Sequence, residues 1–187
     1  MQKQTVPDHI RKKKSFAVIV MAAACVFLCV LPAFAQTRHF IEGVPHLTAE
    51  RPKFCLIASC DMVLKYYRYQ VSQDDIADCD EKDFFKEQGV YADELVKFLR
   101  RRGVRARAFR GDVRFMQQFI KKDMPVIALF LMRADQQLVG HAVVVIGYDR
   151  RADTVIYIEP SDGMERIVSE AEFTEVFQNS MVVIYPQ

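Results

Sequence analysis

Cys55 stands directly ahead of the apolar stretch Leu56-Ile57-Ala58, and His141 follows Gly140 at the head of Ala142-Val143-Val144-Val145. A thiol and an imidazole are the two halves of a cysteine hydrolase, the sulfur attacking an acyl carbon while the ring moves the proton. Sulfur attacks as thiolate, and a free thiol with a pKa of about 8.5 ionises more readily at a helix N-terminus or beside an imidazolium. The first backbone amides of such a helix, those of Cys55 and Leu56, would also point where an oxyanion forms. Eighteen residues beyond His141, past a turn at Arg150-Arg151-Ala152-Asp153, comes Glu159-Pro160. A hairpin would return Glu159 to the side of His141, where its carboxylate can hold the ring's tautomer and stabilise its charged form.

Each residue taken singly has a plainer explanation. Free cysteines are often small buried core residues. A histidine at a strand end is often structural, and a strand-end glutamate is often solvated. Cys60 and Cys79 read as core or disulfide residues. With Cys55 they leave an odd number of thiols after the N-terminal segment, so at least one is unbridged, and spacing leaves the connectivity open.

The elements that must position these groups follow from periodicity. Leu56 to Tyr67 is apolar around much of a helical circumference and reads as a central helix. Ser72 to Asp75 looks like a helix start, with Ile76 and Ala77 inward. Tyr91 to Arg102, stopped by Gly103, and a segment opened by Asp112 through Ile120 read as amphipathic helices. Val104 to Phe109 alternates like an edge strand. Further strands are expected at Val126 to Met132, His141 to Tyr148, Thr154 to Glu159 and Met181 to Tyr185, with a helix from Ser169 to Phe177. Helices first and strands later favour an α+β domain, a central N-terminal helix packed on an antiparallel sheet.

Arg11-Lys12-Lys13-Lys14, the apolar run Phe16 to Pro32 and the small residues of Ala33-Phe34-Ala35 follow the order of an export signal. The expectation is a signal peptide or N-terminal membrane anchor over residues 1–35, with a domain over 36–187 that is periplasmic or extracellular. Beyond residue 35 there remain 21 basic and 23 acidic residues, so the net charge of +2 belongs to the signal. No basic stripe interleaved with aromatics remains to bind nucleic acid, and Arg100-Arg101-Arg102 complements a helix C-terminus. Nothing in the pattern calls for a cofactor or a metal.

Four quoted segments carry a family resemblance. They are Cys55-x-x-Ala58-Ser59-x-x-Met62-Val63-Leu64-x-Tyr66-Tyr67, Val71-Ser72-Gln73-x-x-Ile76-Ala77, Gly140-His141-Ala142-Val143-Val144-x-x-Gly147-Tyr148-Asp149 and Tyr157-Ile158-x-Pro160-x-x-Gly163. In this order and spacing, from about Val44 to Gly163, the chain resembles the bacteriocin-processing, double-glycine peptidase-like group of papain-like cysteine peptidases. The resemblance implies a papain-like fold with Cys55 as nucleophile, His141 as general base and Glu159 as the group that orients it. It also implies a peptide or protein substrate. Double-glycine leaders are trimmed by transporter-fused relatives on the cytoplasmic side, so an exported copy is expected to serve another peptide.

Three departures from the family pattern matter. The family places a glutamine five or six residues before the cysteine to complete the oxyanion hole, and Ala49-Glu50 stand here. Loss of one such donor costs about 3–4 kcal/mol. Leu56 replaces a glycine or aromatic, and Glu159 an aspartate. Three functions follow as expectations: an exported cysteine peptidase, a catalytically impaired peptidase-like module that binds peptide without cutting it, or transglutaminase-like acyl transfer.

Overall fold

Nine consecutive buried residues, Leu56 to Leu64, mark helix α1 (Cys55–Tyr66) as the centre of the structure. A helix apolar on all sides must be surrounded, and α1 lies against a sheet and a second helix. The computed structural model describes residues 37–77, 91–134 and 137–186. Its further helices are α2 (Gln73–Ala77), α3 (Ala92–Arg101), α4 (Val113–Ile120) and α5 (Glu170–Val176). Among the described residues there are seven strands, β1 (Arg38–Phe40), β2 (Ala106–Arg110), β3 (Val126–Ala134), β4 (Gln137–Asp149), β5 (Thr154–Glu159), β6 (Met164–Ser169) and β7 (Phe177–Ile184). They form one sheet in the order β2-β7-β3-β4-β5-β6, with β1 beside β4, and every pairing is antiparallel. The α+β architecture expected from the order of elements is the one observed.

Local chemistry explains most helix ends. The Ser72 side chain and backbone amide bond the Asp75 carboxylate at 2.7 and 2.8 Å, and the Asp75 amide donates to Ser72 Oγ at 3.1 Å. Asp112 Oδ1 accepts from the Phe115 amide at 2.8 Å, and Ser169 with Glu172 forms a reciprocal capping box. Helix α3 ends in Arg100 and Arg101, and the chain leaves it through Gly103 at φ +78°.

The strands differ from the sequence reading in three respects. β1 and β6 were not expected. β4 begins at Gln137, so His141 lies within a strand rather than at its start. β7 begins at Phe177, directly after α5, four residues earlier than expected. Of the other expectations, the N-terminal apolar segment and Cys79 lie outside the described residues. Among the described residues no helix is long and apolar enough to cross a membrane.

The β4–β5 hairpin carries an irregularity that decides which side chains meet. Near the turn the pairs are Tyr148↔Val155 and Gly147↔Ile156, but beyond it they are Val145↔Tyr157 and Val144↔Ile158, leaving Ile146 without a partner on β5. Side chains alternate along a strand and cross-strand partners share a face. Continuing the second register sets Glu159 opposite Val143, on the face that holds His141. The register near the turn, continued unbroken, would set Glu159 opposite Val144 on the other face. A Cβ at Gly147 would lie 2.9 Å from the His39 carbonyl oxygen, so glycine here lets β1 close onto β4.

One charged group is buried inside the central helix. Asp61 is 1% exposed and pairs with Lys65 at 2.9 Å. Burial raises its carboxyl pKa although Lys65 pulls it down. Lys65→Met should therefore destabilise the fold by about 3 kcal/mol at neutral pH by stranding a buried charge. The deficit should shrink on acidification as Asp61 takes up a proton, which denaturant titrations at two pH values will measure.

Candidate active site

From Phe54 to Leu64 every residue is buried except Cys55, which is partly open to solvent. Phe54, wholly buried beneath the Arg51 guanidinium, anchors the chain just before the cysteine. The chain reverses at Lys53, at φ +68°, and the first turn of α1 has neither a side-chain cap nor an acidic residue. The positive end of the helix and its first amides are thus left to act on whatever lies beside Cys55.

His141 pairs with Phe130 across β3 and β4. Phe130 in turn packs edge-on against Tyr157 and Phe173, so the ring stands on a stiff aromatic floor. His141 Nε2–H donates to both carboxylate oxygens of Glu159 at 2.9 Å, and the two side chains are only 14% and 15% exposed. The Ser161 amide donates to Glu159 Oε1 at 2.9 Å, fixing the carboxylate from its other side. Cys55 lines the same cleft as His141, near enough for its thiol to act on the ring's charge. With Nε2 committed to Glu159, Nδ1 is the nitrogen left to exchange a proton with sulfur. All three residues expected from the sequence therefore meet in one place, in the linear order thiol, ring, carboxylate.

The electrostatics fit a charged ring. Burial works against the His141 charge, but hydrogen bonds and attraction from Cys55 and Glu159 outweigh it and raise the ring's pKa to about 9. Burial also opposes charge on Glu159, yet the His141 and Ser161 hydrogen bonds hold its carboxyl below the usual range. An imidazolium between a carboxylate and a sulfur favours the thiolate and can protonate a leaving amine.

Cys55 and His141 open into a cleft of about 810 Å³. One wall runs from Ala49 to Phe54, and the opposite side carries Leu129, Leu138 and Val139 beside His141. Leu138 and Val139 are 62% and 43% exposed, an apolar rim at the end of the β3–β4 hairpin. Among the described residues no cluster of potential metal ligands occurs.

Ala49 and Glu50, which stand where the resemblance expects an oxyanion glutamine, have their own amides already engaged. The Ala49 amide donates to the Pro160 carbonyl at 2.7 Å, and the Glu50 amide to Gln73 Oε1 at 3.0 Å. Gln73 was read only as part of a helix start. Its presence inside a family-like motif was a sign that it does more, but its partners lie 23 and 25 residues away and left no trace in local periodicity.

The profile of the Peptidase_C39 like family matches residues 31–182. No match was found among curated proteins. Solved structures similar to this chain include a C39-like peptidase from Bacillus anthracis, with a TM-score of 0.64 at 17% identity over 80% of this chain and 98% of that one. A double glycine motif protease from an AMS/PCAT transporter, solved with its leader peptide, has a TM-score of 0.60 at 22% identity over 81% and 100%. The peptidase domain of Streptococcus ComA, a bi-functional ABC transporter of a quorum-sensing pathway, has a TM-score of 0.59 at 18% identity over 78% and 100%. These likenesses give the sheet and central helix described above a papain-like fold. With a family match that spans most of its length, the chain belongs to the Peptidase_C39 like family.

Proposed function

We propose that this protein is an exported cysteine peptidase in which Cys55, His141 and Glu159 hydrolyse a peptide bond. The observation that carries the reading is Cys55 and His141 sharing one open cleft, with the His141 ring bonded to Glu159. Cys55 attacks the scissile carbonyl as thiolate, forming a tetrahedral oxyanion that faces the first amides of α1. The His141 imidazolium gives its Nδ1 proton to the departing amine, leaving an acyl-enzyme. The neutral ring then takes a proton from water, which attacks the thioester, and the released thiolate restores the ion pair. Glu159 stays ionised throughout, orienting the ring and stabilising its charge. The rim of Leu138 and Val139 suits an extended peptide with apolar side chains. Export rests on the N-terminal sequence order alone.

Labelling of the full chain with an epoxysuccinyl probe tests the reading. Modification should map to Cys55, disappear in Cys55→Ala and fall sharply in His141→Ala. Equal labelling of wild type and His141→Ala would refute the pairing.

A second reading is favoured by the engaged amides of Ala49 and Glu50, which cannot serve as oxyanion donors. In it the cleft holds peptide and the thiol does not turn over. Binding of peptides without cleavage, under conditions where Cys55 still reacts with the probe, would select this reading.

A further inference from the structure

We propose that Gln73 is a positioning residue for the active site, acting through the wall segment Thr48–Glu50 on the turn that carries Glu159. The inference rests on the catalytic reading above. Gln73 is 2% exposed, and a buried amide is costly unless both of its ends are bonded. Both are: Nε2 donates to the Thr48 carbonyl at 2.7 Å, and Oε1 accepts the Glu50 amide at 3.0 Å.

Between these two attachments the Ala49 amide points elsewhere, to the Pro160 carbonyl at 2.7 Å. The segment is thus a strut gripped from α2 through residues 48 and 50 and joined through residue 49 to the turn after β5. That turn is tight, with the Gly163 amide donating to the Glu159 carbonyl at 2.8 Å and Gly163 at φ +70°. Its close fit to the strut shows at Gly163, where a Cβ would touch Thr48 Cγ2 at 3.4 Å. Next to Gln73, Asp74 holds Arg51 at 2.7 Å, so α2 also braces the approach to Cys55.

The consequence is a route from Gln73 to the catalytic ring that involves no direct contact. Loosening residues 48–50 frees the Pro160 carbonyl and with it the carboxylate of Glu159, whose hold on His141 keeps the ring charged. The titratable and charged groups around the ring are Glu159, bonded to it, and Cys55 on the same cleft, with Glu50, Arg51 and Lys53 also in the lining.

Alkylation by iodoacetate reports the ring's charge, because the reagent's anion is drawn to an imidazolium and its rate drops when the ring loses its proton. The rate at Cys55 in the full chain, followed by peptide mapping against pH, should show an alkaline limb that His141→Ala abolishes. Gln73→Leu should move that limb down by about one pH unit. Gln73→Glu keeps the side chain's size and the acceptor for the Glu50 amide but turns an oxygen toward the Thr48 carbonyl. It should shift the limb in the same direction and serves where the leucine variant does not fold. A wild-type profile matching His141→Ala overturns the catalytic reading and this proposal with it. A normal wild-type limb that neither Gln73 variant moves overturns the positioning role alone.

Discussion

His141→Ala is expected to lower kcat/KM for peptide cleavage by on the order of 10³-fold, the range of a positioned acid and base. The ring serves twice, as the cation that keeps sulfur ionised and as the acid that expels the amine. The sign of the pH dependence follows from its raised pKa. The charged ring persists through neutrality and is lost as the pH rises through about 9, so wild-type kcat/KM should decline on the alkaline side near that value. In His141→Ala the same profile should lose this limb. A profile unchanged by the substitution would separate the ring from the chemistry.

Ala49→Gln is expected to raise kcat by about 10²-fold, the worth of one oxyanion donor. Within the present wall, Pro160 and Gln73 take the amides of residues 49 and 50. Ala49 lines the cleft on the Cys55 side and is half-buried, so a longer side chain there extends from a fixed backbone. Alkylation of Cys55 forms no oxyanion, so its rate should stay constant while acyl transfer accelerates. Cleavage that appears only in the variant would identify the native chain as a binder. A variant with unchanged kcat on a cleaved peptide would show that the α1 amides are sufficient.

The sequence revealed most where burial leaves a pattern. Helix α1 was legible because Leu56 to Leu64 are all buried. Ser72 and Asp112 were legible because their caps are made within three residues. β6 escaped notice because it is an edge strand with Met164 and Ile167 largely exposed, so its side chains record no inward face. The start of β4 was missed for the same reason: residues 137 to 140 are all exposed, and the hairpin extends beyond the core before reaching His141. The candidate trio was legible through residue type and spacing, whereas the strut held by Gln73 depends on pairings between distant segments.

The surplus residue at Ile146 makes the site a matter of parity. Adding or removing one position on that side of the hairpin would act as a half-period phase shift, turning the carboxylate away from the imidazole while each strand kept its partners. Such a chain could keep its strand order yet be chemically silent. Scans that only exchange one side chain for another never sample this dependence, whereas single-codon insertions and deletions along the hairpin would.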